Sequence, residues 1–145
     1  MAIALDDFAV PQEDQLPFAK FLAFVAQVDA EVTLEEKHAL DDLLMAWGFD
    51  EQQVLSVYGI LEKGGDIDSL ASEFSARKTP YLLIQELVTL AGLDGSYDDS
   101  EKNAIRLIAD SCGVSRERVA AIEKWVEEGL AWRAKGVELV QPEGE

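Results

Sequence analysis

Apolar residues recur along this chain at the three-and-four spacing of helices, and no stretch sustains the two-residue alternation of a strand. Phe18, Phe21, Leu22, Val25 and Val28 form the first stripe, and Pro17 before it suits a first helical position, where its missing N–H is harmless. A second helix is predicted to open at Thr33, with Glu36 three residues on in the capping-box position, and to stop at Gly48. Asp50 caps a third, which runs to Gly64 and Gly65, and a short helix over about 69–76 follows. Thr79 and Pro80 read as cap and first-turn proline of a fifth helix carrying Leu83, Leu87, Leu90 and Ala91. Asp98 with Glu101 opens a sixth, ending at Gly113, and Ser115 caps a long seventh that reaches about Ala134. The expected fold class is all-α, a compact bundle of about seven helices. Residues 1–13 are expected to form an N-terminal arm, 14–135 the helical domain and 136–145 a polar tail.

The stripes come in two copies. Residues 22–57 lie over 87–122 at a constant offset of 65 without a gap. Leu22/Leu87, Ala26/Ala91, Asp29/Asp94, Glu36/Glu101, Lys37/Lys102, Ala39/Ala104, Gly48/Gly113 and Val54/Val119 are identical pairs. Caps correspond as well, Thr33 to Asp98 and Asp50 to Ser115. Shared apolar periodicity is the default for helices, so the non-core matches carry the repeat: an acid before the turn, an acid–lysine pair after it, and a terminating glycine.

Composition narrows the function. The 145 residues hold 12 Lys+Arg against 29 Asp+Glu, a formal charge of −17, with 48% apolar residues, enough for a packed core. That charge disfavours nucleic acid, whose affinity comes from cations displacing counterions, and favours cations or basic partners. No apolar run approaches the ~18 residues of a membrane span. The amino terminus lacks the positive region of a secretory signal, and one cysteine cannot form an internal disulfide, so a cytoplasmic location is expected.

Candidate chemistry sits in the two turns, 28–36 and 93–101. Asp29 and Asp94 end a helix, at the unfavourable pole of its dipole, while Glu36 and Glu101 begin the next helix at the favourable one. If the turn folds back, the paired carboxylates and nearby carbonyls offer oxygen donors to a hard cation, Ca²⁺ or Mg²⁺. The same residues also serve as turn and capping residues without any ligand, and both readings stand. The spacing is not that of an EF-hand. Copy two, with Asp94, Asp98, Asp99 and Glu101, is the better candidate, since Ala30 replaces the glycine in copy one.

The segments Ala26-Gln-Val-Asp29-Ala30 leading to Glu36, and Ala91-Gly-Leu-Asp94-Gly95 leading to Glu101, resemble the TerB-like domain of tellurite-resistance proteins, found also in some membrane-anchored co-chaperones. The resemblance spans about residues 17–134. It implies a helical bundle of two pseudo-repeats, about 17–63 and 80–134, with the acidic turns as a metal-associated surface. It also implies a stress-associated interaction module in place of a catalyst. Metal-site candidates are thus Asp94, Asp98, Glu101, Asp29 and Glu36.

Other sites are weaker. His38 is the sole histidine and matches polar Asn103, which suits a solvent face and leaves zinc short of ligands. Cys112 matches Trp47, a packing position. No nucleophile elbow or phosphate-binding glycine loop is present. On the last helix Val119, Ile122, Val126 and Leu130 are the core-facing stripe, and Trp125 and Trp132 lie seven apart beside it. Phe8, Val10 and Pro11 of the arm cover those tryptophans, or the tryptophans meet a partner. The expected partners are proteins, basic or membrane-associated components of a stress complex, or a second copy in a homodimer, with no nucleic acid and no membrane insertion. An acidic protein-binding domain without specific metal is the alternative reading. A carboxylate-metal hydrolase is the third, and it requires a cleft beside Asp94 and Glu101.

Overall fold

The computed structural model describes residues 10–28, 34–92 and 97–144, with the side chains of Glu35, Glu36 and Leu90 outside that description. Seven helices and no strand occur among the described residues: α1 Gln12–Gln27, α2 Leu34–Ala46, α3 Glu51–Lys63, α4 Ile67–Ala71, α5 Thr79–Ala91, α6 Asp99–Cys112 and α7 Arg116–Leu139. Shifted by 65 residues, the starts of α2 and α3 fall on those of α6 and α7. The packing follows the same register. α1 packs on α3 as α5 does on α7, α1 on α2 as α5 on α6, and α1 meets α6 as α5 meets α2. α1 and α5 pack directly on each other between these sets. Phe18, Phe21, Val25, Leu83, Ile84 and Leu87 are the core of that central pair.

The two glycine stops close alike. Gly48 (φ +66°) and Gly113 (φ +79°) turn left-handed after α2 and α6. Phe49 N–H then donates to the Leu44 carbonyl at 3.2 Å, and Val114 N–H to that of Ala109 at 2.8 Å, the long-loop bond of a Schellman motif. The next helix is capped at once. Asp50 accepts from Gln53 N–H and its own N–H donates to the Gln53 side chain, a full capping box, while Ser115 accepts from Arg118 N–H. A Cβ on Gly113 would meet nothing within 4 Å, so Gly113→Ala pays only for its conformation. It is expected to cost about 1 kcal/mol in urea denaturation, and an unchanged midpoint would contradict the cap assignment.

The α4–α5 junction, the start of α1 and the end of α7 differ from the sequence expectation, the first two because of one residue. Asp14, in the first turn of α1, is fully buried. Its Oδ1 accepts from the Ser75 N–H and hydroxyl, both at 2.8 Å, and its Oδ2 from the Ala76 N–H at 3.0 Å and the Thr79 hydroxyl at 2.6 Å. Ser75 and Ala76 spend their N–H groups on this carboxylate, and α4 ends at Ala71, short of the expected Ala76. Thr79 is the first residue of α5, its hydroxyl donating to Asp14, not its cap. The same anchorage holds the chain helical from Gln12, leaving Pro17 inside α1 when a first-position proline was expected. Asp14 and Thr79 are themselves 65 residues apart, so equivalent positions of the two copies meet here. Third, α7 continues to Leu139, beyond Ala134. Residues 134–139 contain good helix formers and a Lys135–Glu138 pair at 3.6 Å, and Gly136 alone does not stop them.

Candidate functional site

The sequence singles out two regions: the start of α6 beside the second acidic turn, and the outer face of α7. At the first, Asp98 is exposed, and its Oδ1 accepts from the Glu101 N–H at 2.9 Å, so it caps α6 as its position predicted. Glu101 is buried, at 3% exposure, in the first turn where the helix dipole favours a carboxylate. Asp29, Asp94 and the side chain of Glu36 lie outside the described residues. Among the described residues no group of three or more His, Cys, Asp or Glu is gathered at metal-binding distances.

Beside this cap a pocket of about 450 Å³ opens between the end of α5, the start of α6 and the middle of α7. Val88, Val126 and Leu130 give it an apolar floor, and Tyr97, Lys102, Arg106 and Glu123 a polar wall. A Cβ on Gly92 would make an ordinary contact with the Leu130 side chain, at 3.5 Å, and a tighter one with the Val88 carbonyl, at 3.3 Å. The Tyr97 hydroxyl donates to Glu123 at 2.7 Å, and Arg106 pairs with the other Glu123 oxygen at 3.5 Å. Burial, then the bond to Glu123 and the charge of that carboxylate, drive the Tyr97 phenol far above its usual pKa, so it acts as a fixed donor. Lys102 lies over the Tyr97 ring, 5.2 Å from its centre.

Copy one makes the corresponding clasp with different chemistry. Asp41 and Tyr58 stand at the positions equivalent to Arg106 and Glu123, and the Tyr58 hydroxyl donates to Asp41. Both copies therefore tie their second helix to their third at one register position. Glu123, already holding Tyr97 and Arg106, is placed as a structural acceptor. Asp98 and Glu101 are not among the residues described as lining the pocket.

The second region is better exposed. Val119, Ile122 and Val126 of α7 are buried and Leu130 packs on the core, as the stripe predicted. Trp125 is 45% exposed and Trp132 78%, followed by Val137, Leu139 and Val140, all more than half exposed. Every residue from Ala131 to Val140 is exposed, so the end of α7 leaves the bundle. Val10, proposed with Phe8 and Pro11 as cover for the tryptophans, is buried in the core, and Phe8 lies outside the described residues. His38 is on solvent. Cys112 packs partly buried against the core, where burial pushes its thiol up to about 11, and a thiol so shifted is a poor nucleophile.

A family model described as "Tellurite resistance protein TerB" matches residues 15–124, from the first turn of α1 into α7. The chain belongs to the TerB family. No curated protein and no solved structure matches it. The TerB match covers both acidic turns and the α5 and α6 side of the pocket, and stops within α7 one residue before Trp125, ahead of the pocket's Val126 and Leu130. The exposed end of α7 thus lies beyond the family's matched region. No helix among the described residues is long and apolar enough to cross a membrane.

Sequence reasoning missed Asp14 and Glu86, although signals for both existed. Asp14 stands four residues before Phe18 on the core stripe, an acid where an apolar residue is due. Glu86 is the register partner of fully buried Phe21, and burial pushes its carboxyl up to about 7.

Proposed function

We propose that this TerB chain is a non-catalytic interaction module of a tellurite- or stress-resistance system. It docks protein through the outward face of α7 and holds divalent cations, Ca²⁺ or Mg²⁺, at its acidic turns. The observation that carries the docking is the apolar overhang: Trp132, Leu139 and Val140 are each at least 73% exposed on a helix that has left its bundle. Exposed aromatic residues on a rigid element are the usual anchors of interfaces. The pocket favours no hydrolytic reading, because its Glu123 is occupied by Tyr97 and Arg106.

The cation proposal rests on donor chemistry. Asp98 and Glu101 stand together at the head of α6, the Asp98 Oδ1 accepting from the Glu101 N–H, and carboxylate oxygens suit hard cations. Calorimetric titration of metal-stripped protein with Ca²⁺ and Mg²⁺ is expected to give one or two saturable sites per chain, in line with two turns. The site of the second turn is lost in Asp94→Asn with Glu101→Gln, the fold of the variant being checked by circular dichroism. Equal weak uptake by both proteins would show diffuse attraction to a charge of −17 and overturn the site.

Docking is tested in cells lacking the native gene. The wild-type chain is expected to restore growth in tellurite and Trp132→Glu, at equal protein level, to fail. Full rescue by Trp132→Glu would overturn α7 as the docking face. No rescue by the wild type would overturn tellurite as the stress.

A further inference from the structure

The outer face of α7 has a regular composition. Trp125, Trp132 and Leu139 are spaced by seven, and Gly129 and Gly136 fall between them, also spaced by seven. Large side chains at 45%, 78% and 73% exposure therefore alternate with glycine shelves along one line. At Gly136 an added Cβ would meet nothing within 4 Å. The ten exposed residues from Ala131 to Val140 form about 15 Å of helix. A helix this short has little stability of its own without packing.

We infer that this face is covered by the same face of a second copy of the chain, with the two α7 helices antiparallel about a two-fold axis at Trp132. The inference rests on the reading of α7 as the docking face and names its occupant. In this register Trp125 of one copy faces Leu139 of the other, the two Trp132 indoles meet at the axis, and Gly129 faces Gly136. The glycines allow close approach of the two backbones where the tryptophans need room.

Charge selects the direction. Over 125–139, α7 carries Glu127 and Glu128 before Trp132, and Arg133 and Lys135 with Glu138 after it. Antiparallel pairing brings Glu128 beside Lys135 of the second copy, twice. Parallel pairing would instead set the two bundles side by side, each part of a chain of −17, and facing like charges reject a partner. Residues 131–140 hold two cations and one acid in a chain of −17, so this is the segment two such chains can bring together. At about 0.15 M salt the Debye length is about 8 Å, which screens the repulsion of the distant acids and keeps the paired ones.

Size sets the strength. Two helices overlapping over 15 residues, 125–139, bury on the order of 1,000 Å² in total, at the lower edge of specific interfaces. The dimer is therefore reversible, with a Kd of about 10–100 µM.

Sedimentation equilibrium on the full chain tests this between about 1 and 300 µM, a range that brackets that Kd. The wild type is expected to pass from monomer to dimer, and Trp132→Glu to remain monomeric with unchanged circular dichroism. Direction is read by cysteine pairs in a Cys112→Ser background. A mixture of Glu128→Cys and Lys135→Cys chains is expected to form a mixed disulfide, and neither alone to cross-link. Self-cross-linking of either alone, or no mixed disulfide in the mixture of a protein that dimerises, would overturn the register. A wild type monomeric throughout would overturn self-docking. If Trp132→Glu then still abolished rescue in cells, α7 would remain a docking face for another protein. If rescue persisted, both readings would fall.

Discussion

Replacing Asp14 by alanine is expected to cost about 3 kcal/mol or more of folding stability, since each buried donor left without an acceptor costs about 1–3 kcal/mol. Domains of this size hold about 5–15 kcal/mol in all, so the variant would be marginal at 37 °C. The loss arises from what is left behind: the buried Thr79 hydroxyl and the part-buried N–H groups of Ser75 and Ala76 and hydroxyl of Ser75, all without their acceptor. Burial alone would raise the pKa of Asp14. The bonds from Thr79, Ser75 and Ala76 outweigh it and hold the carboxyl below its usual value. A group depressed in the folded state stabilises fully above its unfolded pKa, near 4, and loses that contribution as pH falls through the folded value. Urea titrations of wild type and Asp14→Asn should therefore differ by a constant amount from pH 8 to about 5 and converge only in stronger acid. A difference under about 1 kcal/mol at pH 7 would show that the junction of α1 and α5 does not depend on this carboxylate.

The second large effect has the opposite sign. Glu86→Gln is expected to stabilise the protein at pH 8 by about 2–3 kcal/mol and to leave it unchanged at pH 4. Burial holds the Glu86 carboxyl at about 7, and among the described residues no cation pairs with it. The folded state then binds a proton that the unfolded state has released. Stability falls as pH rises from about 4.5 to 7, and the full penalty persists above. Glutamine has nearly the same shape and no charge to desolvate. Equal stability of the two proteins at pH 8 would show that the Glu86 carboxylate reaches water.

These two acids also mark how far the fold was legible in the sequence. Periodicity located all seven helices, because each buries a stripe against its neighbours and each is bounded by residues whose backbone chemistry is local. Asp50, Asp98, Ser115, Gly48 and Gly113 all act as their types predicted. What failed was non-local. Asp14 takes its donors from 61 to 65 residues away, and those donors end α4 and supplant the cap of α5. Extending the repeat register to Asp14/Thr79 and Phe21/Glu86 would have flagged both acids as breaks in an apolar pattern.

The candidate site was legible unevenly. The core stripe of α7 and the outward tryptophans followed from helical spacing alone. That the overhang extends to Leu139 did not, since charged residues and a glycine read as a tail when nothing packs on them. The clasp between second and third helix was invisible because the two copies use different pairs, Asp41 with Tyr58 and Arg106 with Glu123, for the same contact.

Amide hydrogen exchange along α7, followed as protein concentration rises, tests the central claim most directly. At low micromolar concentration the amides of 131–139 are expected to exchange as an unsupported helix end, while those near Val119 and Ile122 stay protected by the core. At several hundred micromolar the overhang should become protected together with the outer amides around Trp125, and Trp132→Glu should abolish the change. Protection of 131–139 that stays low at every concentration would contradict docking of this face by a second copy.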